Sequence, residues 1–217
     1  DKITQFWVEK FNMGAKEFKN GIDYENKKDK AGAKAAYENA LKAFTASNVI
    51  MPDSLKSLSA IGETYLALGQ PEKALDIFND LASKSKSKES AEKVARIVFE
   101  TGMGMMQMNN FESAAKTFER VLQVPYLPKD DVYYETSAYN AGLAHAKIGE
   151  GMRSKDENSE YRGEFEKAKG YLEPLTVSLK EKSLEPKIYE LLVSVYANLG
   201  MTEEAQNALK KKEELKK

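Results

Sequence analysis

Apolar residues recur along this chain at helical spacing. From Leu58 onward, Leu58, Ile61, Gly62 and Tyr65 fall at i, i+3, i+4 and i+7, which is one face of a helix. Gly69 follows where a left-handed residue closes a helix. Pro71 then stands where the first turn of a new helix tolerates a missing N–H. Ala74, Phe78 and Leu81 mark a second face. The spacing predicts a helical hairpin in which small residues let two backbones approach and large ones fill the flanks. No stretch alternates apolar with polar residues for six or more positions, and Ala, Leu, Lys and Glu dominate. The whole chain therefore reads as helix.

The same arrangement returns four times. A third unit has Val98, Gly102, Met105, Phe111, Ala114, Phe118 and Val121, and a fifth has Tyr189, Leu192, Tyr196, Gly200, Ala205 and Leu209. A first has Gly21, Tyr24, Ala33, Tyr37 and Ala40. A fourth has Ala138, Gly142, His145 and Gly149, then a break, then Phe165, Ala168, Leu172 and Leu175. In these positions the chain resembles the tetratricopeptide repeat. The resemblance implies an all-α, right-handed superhelical α-solenoid of about five antiparallel helical hairpins. It implies one repeat domain over 1–217, with units near 11–47, 54–86, 92–127, 133–181 and 186–217. The second-helix alanines Ala33, Ala74, Ala114, Ala168 and Ala205 are spaced more widely than that family's period of about 34 residues. Linkers are accordingly expected at Ala46 to Ser54 and at Val124 to Asp131. Asp53 or Ser54 would cap the helix after the first, and Asp130 or Asp131 the helix after the second. The insertion 150–164 in the fourth unit reads as a longer helix pair plus a solvated loop, or as a loop that caps a groove or touches a partner. Ser83 to Ser90 reads as a polar turn, and Lys210 to Lys217 as the solvated end of the last helix.

Composition narrows the function classes. Across 217 residues, 33 Lys and Arg nearly balance 34 Asp and Glu, for a net charge of −1. Nothing here draws the chain to nucleic acid or to an anionic membrane over long range. Arg occurs only at Arg96, Arg120, Arg153 and Arg162, which argues further against planar phosphate recognition. The absence of Cys removes disulfides, thiolate nucleophiles and Cys-based zinc sites. No apolar run reaches the roughly 18–20 residues that span a bilayer. The start at Asp1 and the lack of Cys favour an exported bacterial protein as the expectation, with a cytoplasmic one as the alternative.

Candidate chemistry is sparse. His145, the one histidine, stands where sister units have Tyr65 and Tyr196, and reads as a packing residue on an interior helix face. No G-x-S-x-G elbow accompanies it. Gly102-Met-Gly104 lacks the continuation of a phosphate loop and lies within a helical pattern. Asp156, Asn158 and Glu160 alternate like the start of a calcium loop, but Tyr161 replaces the required glycine. No catalytic residue, metal ligand or cofactor is assigned.

The resemblance implies that first helices line a concave face. It nominates a partner-binding groove of Phe18, Lys56, Leu66, Arg96, Phe99, Met103, Met106, Tyr139, Leu143, Lys147 and Lys187. Its middle is apolar, and Met and aromatic side chains suit a peptide helix or an extended segment. The competing reading makes Met103, Met105, Met106 and Met108 core filling, with Met105 in the core either way. Some members of the family clamp a C-terminal carboxylate with paired Lys and Asn. The matching positions here are Ser59, Glu63, Phe18 and Ile22, so that clamp is missing. The expected function is a scaffold for a protein or peptide partner, with no nucleic acid and no membrane span. The alternatives are a self-assembling homo-oligomer, or a small-ligand receptor or enzyme using the groove or the insertion.

Overall fold

Helices begin and end where the sequence offers caps. The computed structural model describes residues 1–52, 54–83, 86–156 and 160–215, apart from the side chains of Glu72 and Asn79. Asp53, one of the two expected caps, and Asn158 lie outside the described residues. The chain divides into two compact units, Asp1–Ser85 and Lys86–Lys217. Among the described residues there are eleven α-helices and one 3-10 turn, with no strand.

The first unit holds α1 (Lys2–Asn26), α2 (Lys30–Ile50), α3 (Leu55–Ala67) and α4 (Pro71–Ser83). α1 pairs with α2, α3 pairs with α4, and α2 packs on α3. Glycines set how closely the pairs approach. A Cβ on Gly14 would fall 2.6 Å from the Phe44 ring, and one on Gly62 would fall 2.5 Å from Phe78; Gly21 lies equally tightly against Tyr37. A polar chain crosses three helices. Trp7 Nε1 donates to Ser57 Oγ at 2.9 Å, the Ser57 and Ser47 hydroxyls lie 2.9 Å apart, and Ser47 donates to the Phe44 carbonyl at 2.7 Å. Because Ser47 spends its one proton on that carbonyl, Ser57 must donate to Ser47. α2 continues through Ala46 to Ile50, beyond the expected start of the linker, and stops where Pro52 disfavours helical backbone at Met51. Ser54 caps α3 by accepting from Ser57 N.

The second unit holds α5 (Lys88–Gln107), α6 (Phe111–Leu122), α7 (Val132–Lys155), α8 (Tyr161–Leu172), α9 (Leu175–Ser178), the 3-10 turn Lys182–Leu184, α10 (Glu185–Leu199) and α11 (Thr202–Glu214). α5 pairs with α6, α7 with α8 and α10 with α11; α6 packs on α7 and α8 on α10. Gly102 meets Phe118, Gly142 meets Leu172, and Gly149 meets Phe165. Ser87 caps α5 in a reciprocal box with Ser90, and Asp131 caps α7 by accepting from Tyr133 N at 2.8 Å. The insertion 150–164 is mostly helix. Its first residues extend α7 to Lys155 and its last ones open α8 at Tyr161. Leu175, expected to continue the second helix of this hairpin, instead opens α9. Pro174 supplies no N–H to the turn before it, so α8 ends at Leu172.

Four of the hairpin turns share one geometry. Lys28, Gly69, Asn109 and Gly200 are left-handed, with φ of 59°, 68°, 56° and 78°. In each, the following N–H reaches back to a carbonyl in the last helical turn: Asp29 to Tyr24, Gln70 to Tyr65, Asn110 to Met105 and Met201 to Tyr196. This closure satisfies carbonyls that the helix end would leave open.

Candidate partner-binding surface

In the second unit the nominated residues lie on α5, α7 and α10. Arg96, Phe99, Met103 and Met106 run along α5 beside its buried face of Val98, Gly102 and Met105. Phe99 is half-buried, with its ring 5.8 Å from Phe118 on α6 and 5.8 Å from Tyr133 on α7. It therefore ties two successive first helices together. Met103 and Met106 are half-buried, Met105 is fully buried with its sulfur 3.1 Å from the Thr117 hydroxyl, and Met108 is exposed at 62%. The four methionines are thus not one class: Met105 fills the core and Met108 faces solvent. On α7, Tyr139 and Leu143 are half-buried. Burial raises the Tyr139 pKa, and the charge of Glu190 on α10 adds to the rise. Lys147 is exposed and paired with Glu150 at 2.7 Å; Arg96 is exposed and paired with Glu100 at 3.3 Å. Lys187 is exposed on α10.

Three nominated residues belong to the first unit. Phe18 is half-buried, sits 5.2 Å from Tyr37 and packs against the cluster of Ala40, Phe44 and Ile61. Lys56 is exposed and Leu66 half-buried on α3. Ser59 donates to Glu63 at 2.8 Å, in the positions where a carboxylate clamp would stand.

Tetratricopeptide-repeat profiles match residues 57–87 and 186–217, the hairpins α3/α4 and α10/α11. At these two hairpins the chain matches the tetratricopeptide repeat. A tetratricopeptide repeat-containing protein of Methanocaldococcus jannaschii is 24% identical over 79% of this chain, which spans about a third (34%) of that relative's length. Among solved structures, a crystal structure of MamA is similar at 20% identity and a TM-score of 0.41, covering 93% of this chain and 91% of that one. MamA from Desulfovibrio magneticus RS-1 is similar at 16% identity and a TM-score of 0.39, covering 91% and 95%. This is the fold on which protein-interaction scaffolds are built. No helix among the described residues is long and apolar enough to cross a membrane.

Within the repeats, two polar clusters escaped sequence reasoning. His145 is only 6% exposed on α7 and is held on both sides. Its Nε2 lies 2.9 Å from Glu119 of α6 and its Nδ1 lies 2.6 Å from Glu164 of α8, while its ring stacks on Tyr171 at 5.8 Å. Tyr171 also donates to Glu119 at 2.8 Å. Two carboxylates facing two ring nitrogens fit the imidazolium, which donates from both. Burial works against that charge, but the hydrogen bonds and charges of Glu119 and Glu164 outweigh it and raise the His145 pKa above 6.5. The bond to His145 is the main cause lowering the Glu119 pKa. Burial opposes a low pKa at Glu164, yet bonds to Lys167 and His145 still bring it down. So His145 packs on an interior face, as expected from Tyr65 and Tyr196, but as an ion-paired bridge across three helices. The signal in the sequence was slight: Glu119 follows Phe118, Glu164 precedes Phe165 and Tyr171 precedes Leu172, each beside a core residue.

Glu135 gave no signal at all. It is 1% exposed, and its two oxygens accept the N–H groups of Lys180 and Glu181, each at 2.7 Å. It thereby anchors the connection between α9 and α10. A cavity of about 350 Å³ opens beside it, lined by Lys88, Glu92, Asp130, Asp131 and Lys180. These charges are of both signs and pair among themselves, Lys88 with Glu92 at 3.7 Å and Lys180 with Asp130 at 3.4 Å. Gly102-Met-Gly104 lies inside α5, with Gly102 closed over by Phe118, and so forms no phosphate loop. Among the described residues no group of three or more His, Asp or Glu side chains is placed to hold a metal ion.

Proposed function

We propose that the chain is a non-catalytic protein-interaction scaffold that takes a peptide or protein segment along α5, α7 and α10 of its second unit. The observation that carries this reading is the half-buried apolar row Phe99, Met103 and Met106 on α5, continued by Tyr139 and Leu143 on α7. Such a row offers apolar contact area at little further cost in side-chain order, because its members already rest against neighbours. Arg96, Lys147 and Lys187 are exposed basic residues on the same three helices. A segment with apolar anchors and acidic flanks matches that pattern. His145 supports the same reading, because both of its nitrogens are occupied by carboxylates and neither is free to take a proton from a substrate.

The test is selection of peptides from a displayed random library on the intact chain, followed by binding to the Leu143→Ser and Met103→Ser variants. Enriched peptides should share apolar anchors and acidic flanks, and each variant should weaken them by about tenfold or more, the loss of one apolar anchor. Peptides that bind both variants as tightly as the original chain would show that the row is not the site.

A further inference from the structure

α1 carries two apolar stripes. The first, Trp7, Phe11, Gly14, Phe18 and Gly21, is spent on its own unit: the two glycines close against Phe44 and Tyr37, and the rings pack with them. The second stripe lies beside it at positions 3, 6, 10, 13, 17, 20 and 24. Its steps alternate between three and four residues, the spacing of a seam between two helices. Ile3 is 58% exposed in this seam, Phe6 57%, Met13 50% and Tyr24 39%. Single exposed apolar side chains are ordinary, but four aligned along one seam form a patch.

The polar members of the seam indicate what covers it. Read from either end, the seam pairs Ile3 with Tyr24, Phe6 with Asn20 and Lys10 with Glu17, and Met13 lies at its centre. We propose that α1 is a self-association surface on which a second copy of this chain docks antiparallel, about a two-fold axis at Met13. That axis sets Lys10 of one copy level with Glu17 of the second copy, and symmetry makes the same pair twice. A parallel arrangement would set Lys10 against Lys10 and Glu17 against Glu17. Lys10 reaches only residues of its own helix, Glu9 at 3.5 Å and the Met13 sulfur at 4.0 Å, and Glu17 forms no ion pair among the described residues. Glu17 is thus available across the seam, and Lys10 holds only an exposed pair with its neighbour Glu9 that a facing Glu17 can share. α1 is about 37 Å long, enough to lay all seven seam positions of each copy side by side. The seam is self-complementary at its charged pair and sets Ile3 against Tyr24 and Met13 against Met13, which selects a second copy over an unrelated apolar segment.

The test is sedimentation equilibrium of the full chain over a concentration series, for the original sequence, Lys10→Glu, Glu17→Lys and the double swap. Circular dichroism checks that the helices are retained. The original chain should show a concentration-dependent dimer. Each single swap should weaken it by about tenfold or more, because two attractive pairs become two repulsive ones. The double swap should restore it to within about threefold. Phe6→Ser, at a side chain more than half exposed, gives a second handle and should also weaken the dimer. A monomer at every concentration, a dimer indifferent to the single swaps, or a dimer that the double swap fails to restore would each overturn the proposal.

Discussion

The hairpins α3/α4 and α7/α8 are built on one contact and differ in how often they use it. In α3/α4, Gly62 lies against Phe78, sixteen positions later, and that is the single close glycine approach. In α7/α8, Gly149 and Phe165 repeat the sixteen-residue spacing, and Gly142 and Leu172 add a second contact one heptad farther from the turn on each helix. Between those two contacts sits His145 with its carboxylates. The hairpin α1/α2 follows the longer plan, with Gly21 on Tyr37 and Gly14 on Phe44. Residues 150–164 thus span no more chain than 63–77 do in the short hairpin; the extra heptad of each helix lies beyond Gly149 and Phe165, away from the turn, and is secured by a second small-on-large contact. A short hairpin depends on one such contact, and a long one can lose one and stay paired.

Removing the aromatic knob tests this difference most severely. Phe78→Ala and Phe165→Ala each empty a fully buried site, at a cost of about 3–5 kcal/mol in urea unfolding. The consequences should diverge in native-state hydrogen exchange. Phe78→Ala should strip protection from α3 and α4 throughout. Phe165→Ala should strip it near Gly149 while amides around Gly142 and Leu172 stay protected. Equal collapse of both hairpins would remove the distinction.

The polar bridge is the next lever. His145→Leu leaves Glu119 and Glu164 without their shared cation and should cost about 1–3 kcal/mol, below the value for a fully buried pair because Glu119 keeps 29% of its side chain exposed. The bridge also has a pH signature. The His145 pKa is raised in the folded chain, so its stabilisation is full below about 6.5 and is lost as pH rises through the folded value. The pKa values of Glu119 and Glu164 are lowered, so their stabilisation is full above about 4.5 and is lost as pH falls through their folded values. Together the three groups contribute most between about pH 4.5 and 6.5. The stability difference between the original chain and His145→Leu should peak in that window, as measured by urea titrations across pH. A difference that does not vary with pH would mean that the bridge is not ionic.

How much of this was legible in the sequence follows the same contrast. The α3/α4 hairpin could be read residue by residue, because Gly62, Gly69, Pro71 and Phe78 each carry a local conformational reason for their place. The second contacts of the long hairpins could not, since Gly14 and Phe44 are thirty positions apart and no local rule joins them. The turn at Lys28 was equally silent: lysine carries no preference for left-handed backbone, and only its place between two helices puts it there. Glu135 looks like any surface carboxylate until the α9–α10 connection folds over it. At the candidate site, periodicity placed Phe99, Met103, Tyr139 and Leu143 on first helices. It could not say how far neighbours would cover them: Phe18 and Phe99 are both half-buried, the first packed on Tyr37 and the second on Phe118.

The smallest expected effect lies in those turns. Lys28→Gly and Asn109→Gly relieve a side chain in left-handed backbone and should each raise stability by about 0.5–1 kcal/mol, whereas Gly69→Ala should lower it by a similar amount. Thermal unfolding of the three variants distinguishes turns that share one geometry from turns that merely look alike.

The central claim, that the second unit binds its partner along α5 and α7, is tested most directly by methyl-labelled methionine NMR of the chain with a selected peptide. Met103 and Met106 lie on the proposed surface, Met105 lies in the core behind it, and Met13 lies on α1 in the other unit. The account predicts that peptide shifts the Met103 and Met106 methyl signals while Met13 stays in place. Shifts confined to Met13, or peptide binding that moves neither Met103 nor Met106, would contradict it.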